Sequence, residues 1–135
     1  MKRTATILSV LALSAALISS TAQAACNQSD GAGTWRAFST GVAGHDILWS
    51  RCFITVKASG NVATKSSFCF LEDGTKIAIT AGNLAIASDC SLTGSFTVSG
   101  LVENIIDAQL SKENAIMAGV GSDITGHFTF IGVKK

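Results

Sequence analysis

Clusters of turn-forming residues divide this chain into pieces of strand length. They recur at Ser59-Gly60-Asn61, Glu72-Asp73-Gly74, Ala81-Gly82-Asn83, Ser99-Gly100, Lys112-Glu113-Asn114 and Gly121-Ser122-Asp123. The pieces between them are rich in Val, Ile, Thr and Phe, which suit a pleated, half-buried surface. Short strands with a turn every ~8–12 residues predict an all-β fold, a small antiparallel barrel or sandwich, and short connections favour a meander of hairpins. The expected strands run Thr34 to Thr40, Ile47 to Ala58, Val62 to Leu71, Thr75 to Thr80, Leu84 to Ser88, Ser91 to Ser99, Glu103 to Ser111, Ala115 to Val120 and Gly126 to Val133. The count is about eight if the fourth and fifth are one bent strand.

Alternation sharpens several of these. Leu92, Gly94, Phe96 and Val98 share one face, with Ser91, Thr93, Ser95, Thr97 and Ser99 on the other. Phe128 and Phe130 alternate with His127, Thr129 and Ile131 and are expected inside. Leu101 to Leu110 is ambiguous, because Leu101, Val102, Ile105, Ile106 and Leu110 also match a helical stripe. The strand reading is preferred because Ile106, Ala108 and Leu110 then mirror Ile116, Ala118 and Val120 across the Lys112-Glu113-Asn114 turn.

Residues 1–24 carry the three parts of an export signal: Lys2 and Arg3, an apolar run from Ile7 to Ile18, and Ala22-Gln23-Ala24. Cleavage is expected between Ala24 and Ala25, leaving residues 25–135 as a single all-β domain. The apolar run is shorter than the roughly 20 residues a membrane helix needs, so stable membrane insertion is not expected. Gln23 stands where a lipoprotein signal resembles Leu-x-x-Cys, which argues against acylation of Cys26. Subtracting Lys2 and Arg3 leaves 8 basic against 9 acidic residues, a balance of −1. Such a chain has no electrostatic footprint for nucleic acid.

Four cysteines remain: Cys26, Cys52, Cys69 and Cys90. An even count in a short exported chain predicts two disulfides and a periplasmic or secreted location. No Cys-x-x-Cys knuckle suggests a metal site. A two-residue Gly60-Asn61 turn would set Cys52 opposite Cys69 and leave Cys26 for Cys90. A three-residue Ser59-Gly60-Asn61 loop gives a cleaner split, with Cys52, Ile54, Val56, Ala58, Val62 and Phe68 on one face, yet sends Cys52 and Cys69 to opposite faces. The pairing stays open on sequence alone.

Gly33-Thr34-Trp35 resembles the Gly-x-Trp opening of the calycins, the lipocalins and their relatives. That resemblance implies an eight-stranded up-and-down barrel closed at one end by Trp35 and able to hold a small apolar ligand. In that group an Arg near the chain end packs on the Trp; this chain has Lys134 and Lys135 instead.

Reactive groups are few. Trp49 and Arg51 lie on the face opposite Cys52, either as an exposed interaction anchor or, more simply, with Trp49 packed and Arg51 covering it. His45 and Asp46 are neighbours whose side chains diverge in an extended chain, and His127 stands alone; both His are expected on the surface. No Gly-x-Ser-x-Gly elbow, calcium loop or phosphate-binding glycine pattern occurs, and the acidic residues fall largely at turns. Asn27-Gln28-Ser29 is a glycosylation sequon. No catalytic residue, metal or cofactor is therefore expected, and an enzyme is the third alternative, favoured by a cleft that brings His45 or His127 beside a carboxylate. The reading is a binding module for a protein partner or a small apolar ligand; alternatives are a structural subunit of a surface fibre or matrix, or an inhibitor of a secreted hydrolase that uses Gly41 to Asp46 as its loop. A protruding loop would favour the inhibitor, and an internal cavity the small ligand.

Overall fold

The computed structural model describes residues 25–135, so the expected signal and the Ala24 side of its cleavage site lie outside the described residues. Eight strands follow one another around a closed antiparallel barrel in meander order. They are β1 (Gly33–Ala43), β2 (Asp46–Val56), β3 (Phe68–Leu71), β4 (Lys76–Ile86), β5 (Ser91–Val98), β6 (Leu101–Leu110), β7 (Ile116–Ser122) and β8 (Gly126–Lys134). β1 pairs with both β2 and β8, which closes the sheet.

Alternation builds the interior, and two bulges interrupt it. In β4 the register shifts between Ile79 and Ala81, so the expected Ala81-Gly82-Asn83 turn is the bend of a single strand. In β6 the shift between Ile105 and Asp107 puts Ile105 and Ala108 both inside, three residues apart. One extra residue thus produces the helix-like spacing within a strand. The same extra residue shifts the register with β5 between Leu92 and Gly94.

Pairing of Leu110 with Met117 differs by one residue from the mirror expected, and one residue is enough to turn a strand over. Met117, Gly119 and Gly121 accordingly face inward, while Ile116 and Val120 are exposed. Ile106 is also exposed, at the bulge. Phe128 and Phe130 face inward as expected and are half-buried.

Two disulfides join Cys26 to Cys90 and Cys52 to Cys69. Cys52 does sit opposite Cys69, although neither expected turn forms. Val56 bridges Val62, and a 3₁₀ turn at Thr64–Ser66 then takes up residues, so four steps along β2 match seven on its partner. This also shortens the expected Val62 to Leu71 strand to Phe68–Leu71 and turns Phe68 outward, where it packs on Phe53 and Phe70.

One end of the barrel is sealed. The segment before β1 forms a 3₁₀ helix at Gln28–Gly31, capped by Asn27, and crosses this end. Gln28 donates to the Leu84 carbonyl and accepts from the Ile86 amide, and the Cys26 amide donates to the Ser88 carbonyl. Beneath it Trp35 is completely buried, its indole N–H donating to the Gly31 carbonyl at 2.8 Å. Lys134 lies opposite Trp35 in the β1–β8 register, with its ammonium 5.0 Å from the ring centre and 2.8 Å from the Asp30 carbonyl. A lysine thus takes the stacking place that the resemblance assigns to an arginine, and its ammonium also ties the last strand to the N-terminal cap.

Candidate functional site

Side-chain size along the inward faces determines where space remains. On β1 the inward residues run Trp35, Ala37, Ser39, Gly41, Ala43, from the largest side chain in the chain to some of the smallest. On β2 they run Val56, Ile54, Cys52, Ser50, Leu48, with the small Ser50 beside Ser39. Around the sealed half, Trp35, Ile54, Ile79, Leu84, Leu92, Ala108, Leu110 and Met117 fill the interior. In the other half the small side chains of β1 leave a cavity of about 310 Å³, open at its mouth.

The cavity wall is mostly apolar, with Leu48, Leu71, Ile77, Val98, Leu101 and Phe128. Cys69, cross-linked to Cys52, forms part of it. Ser39 and Ser50 add hydroxyls that hydrogen-bond to each other at 2.6 Å. Neither serine hydrogen-bonds to a histidine among the described residues, so no nucleophile–base pair is assembled there.

Charge at this end is one-sided. Glu103 and Asp123 line the cavity with His127 at its exposed rim, and among the described residues no Lys or Arg lines it. Alternation with Leu101 and Ile105 turns Glu103 inward on β6, and pairing of Asn104 with Ser122 brings it next to Asp123. Burial, with a smaller contribution from Asp123, pushes the Glu103 carboxyl up to about 7. Asp123 is different. Burial raises its pKa, but hydrogen bonds from the Thr125 hydroxyl and amide and the Gly126 amide, together with the charge of His127, hold it below the usual carboxylate value. The same hydrogen bonds fix the turn between β7 and β8.

The other candidates from sequence fall elsewhere. Gly41 to Asp46 is no protruding loop: β1 runs to Ala43, β2 starts at Asp46, and only Gly44 and His45 form the turn. Gly44 has a φ of 63°, which suits such a tight connection. His45 is exposed at this tip. Trp49 is not packed beneath Arg51; it is 52 % exposed near the cavity rim. The Arg51 guanidinium instead lies over Phe70 and Phe53, 5.2 and 5.7 Å from the ring centres. The N-terminal segment cannot cover Trp49 either, because it is committed to the opposite end. Sequence reasoning missed Glu103 as a site residue, although its place between Leu101 and Ile105 was the available signal.

The described chain is thus a closed, disulfide-bonded eight-stranded meander barrel with one sealed and one hollow end. No protein-family model, curated protein or solved structure matches it. Among the described residues no helix is long and apolar enough to cross a membrane, and no group of ligating side chains could hold a metal ion. The two disulfides fit an extracellular or periplasmic location.

Proposed function

We propose that the domain is a non-catalytic binding module that takes a small, largely apolar molecule into the hollow end of the barrel. The observation that carries this reading is the cavity itself: about 310 Å³, walled mainly by apolar side chains and backed by a packed half-barrel. Small-molecule sites start at about 300 Å³, so the ligand is small and compact. The N-terminal leader pattern and the disulfides support action after export, in the periplasm or outside the cell. The test is fluorescence titration of the oxidised, exported protein with the neutral apolar probe N-phenyl-1-naphthylamine, alongside Ser39→Phe, which fills the cavity from β1. Saturable binding that Ser39→Phe weakens at least about tenfold supports the reading. Equal binding to a correctly folded Ser39→Phe protein, or no binding by either, refutes it.

A second reading, a protein-interaction surface, is favoured by the outside of β8, β1 and β2. Phe38, Val42, Ile47, Trp49 and Ile131 are each 46–71 % exposed there, with Phe38 opposite Ile131 and Val42 opposite Ile47. Exposed apolar side chains this close together mark interaction surfaces more often than chance. Strand exchange into a fibre fits the structure less well, because a closed barrel offers few free strand edges.

A further inference from the structure

Building on the cavity reading, we propose that the bound molecule carries a basic nitrogen, seated at the mouth against Glu103 and Asp123 while its apolar body enters the barrel. Leu71, Val98 and Phe128 can enclose an apolar body, and among the described residues the carboxylates of the lining, Glu103 and Asp123, meet at its entrance. The two acids differ in what they have left to offer. Asp123 already accepts from Thr125 and Gly126, whereas hydrogen bonding contributes nothing to the state of Glu103. A cation there gives Glu103 a donor and relieves the repulsion between the two acids. A ligand carboxylate would add a third negative charge, and a hydroxyl would leave the repulsion in place.

The raised Glu103 pKa is consistent with this arrangement, since its carboxyl has no compensating positive partner in the wall. Asp123 and His127 are the other titratable groups at the mouth, and the remaining lining strands bring none. Below the Glu103 transition the carboxyl is neutral, which leaves a cation at the mouth only the Asp123 carboxylate. Affinity for a permanently protonated amine therefore rises with pH through about 7.

The experiment is calorimetric titration of the oxidised full domain at about pH 8 with three probes sharing one apolar body: 1-naphthylmethylamine, 1-naphthalenemethanol and 1-naphthoic acid. The amine is expected to bind at least about tenfold more tightly than the alcohol, and the acid most weakly. Glu103→Gln should remove the amine's advantage and leave the alcohol's affinity within about twofold, which also shows that the variant keeps its cavity. Amine and alcohol binding equally, or an amine preference that survives in Glu103→Gln, overturns the basic-nitrogen inference but leaves the cavity reading standing. Failure of all three probes to bind overturns both.

Discussion

Glu103 should make this protein less stable as pH rises, and Glu103→Gln should remove that loss. In the folded state burial, and then Asp123, lift the carboxyl from its ordinary 4.5 to about 7. Because the folded value lies above the unfolded one, the native protein keeps a proton that the unfolded chain has released. The protonated group therefore supports the fold fully below about 4.5, and that support is lost as pH rises through about 7. At ~1.4 kcal/mol per unit the full shift corresponds to about 3 kcal/mol, reduced to the extent that water enters the mouth. Glutamine keeps the shape and cannot ionise. Wild type and Glu103→Gln should then unfold at similar denaturant concentrations near pH 4, and the variant should be the more stable by roughly 1–3 kcal/mol near pH 8. Guanidinium unfolding followed by far-ultraviolet circular dichroism across this range measures the difference. Parallel pH profiles for the two proteins, with no divergence between about pH 5 and 8, would refute the placement of an unpaired carboxyl in the barrel wall.

Three further outcomes follow from the packing. Removing the Cys26–Cys90 bridge, with a sequence separation of 64, should cost about 4 kcal/mol, and removing Cys52–Cys69, with a separation of 17, about 3 kcal/mol; chemical unfolding of Cys→Ser pairs gives the order. Trp35→Phe keeps an aromatic ring under the cap but strands the Gly31 carbonyl, so the denaturation midpoint should fall by an amount equivalent to about 1–3 kcal/mol. Gly119→Val should fail to fold or lose at least about 3 kcal/mol, because a Cβ at this inward position of β7 would overlap Ala108 and the Asp107 carbonyl; a thermal melt distinguishes this from the mild loss expected at an exposed site.

Much of the scaffold is legible in the sequence because alternation and turn chemistry are local. Leu92, Phe96 and Val98 face inward as alternation requires, and Asp73-Gly74 forms its turn, with the Asp73 side chain accepting from the Thr75 amide. What is lost is register. A strand's faces depend on loop details of a single residue, so the extra step before Met117 was enough to exchange Ile116 and Val120 with Met117 and Gly121. Bulges have the same effect within a strand, as at Ile105 to Asp107.

The cavity was half legible. Trp35 is followed at alternate positions only by the small residues Ala37, Ser39, Gly41 and Ala43, a pattern visible in sequence once β1 is known to extend past Thr40. That Glu103 meets Asp123 at the mouth depends on pairing between β6 and β7, which no local pattern encodes. The exposure of Trp49 likewise depends on where distant segments go: the N-terminal cap is held at the sealed end by Cys90, Leu84 and Ile86, out of reach as a cover.

Everything functional rests on the hollow half of the barrel being the place where a ligand binds. Amide chemical-shift mapping during titration with N-phenyl-1-naphthylamine tests this most directly. The expected result is a set of saturable shifts at Ser39 to Ala43, Leu48 to Ser50, Val98 to Glu103 and Asp123 to Phe128, with Gln28 to Trp35 unmoved. Shifts confined to the outer face around Phe38, Ile47 and Ile131, or no saturable shifts at all, would contradict it.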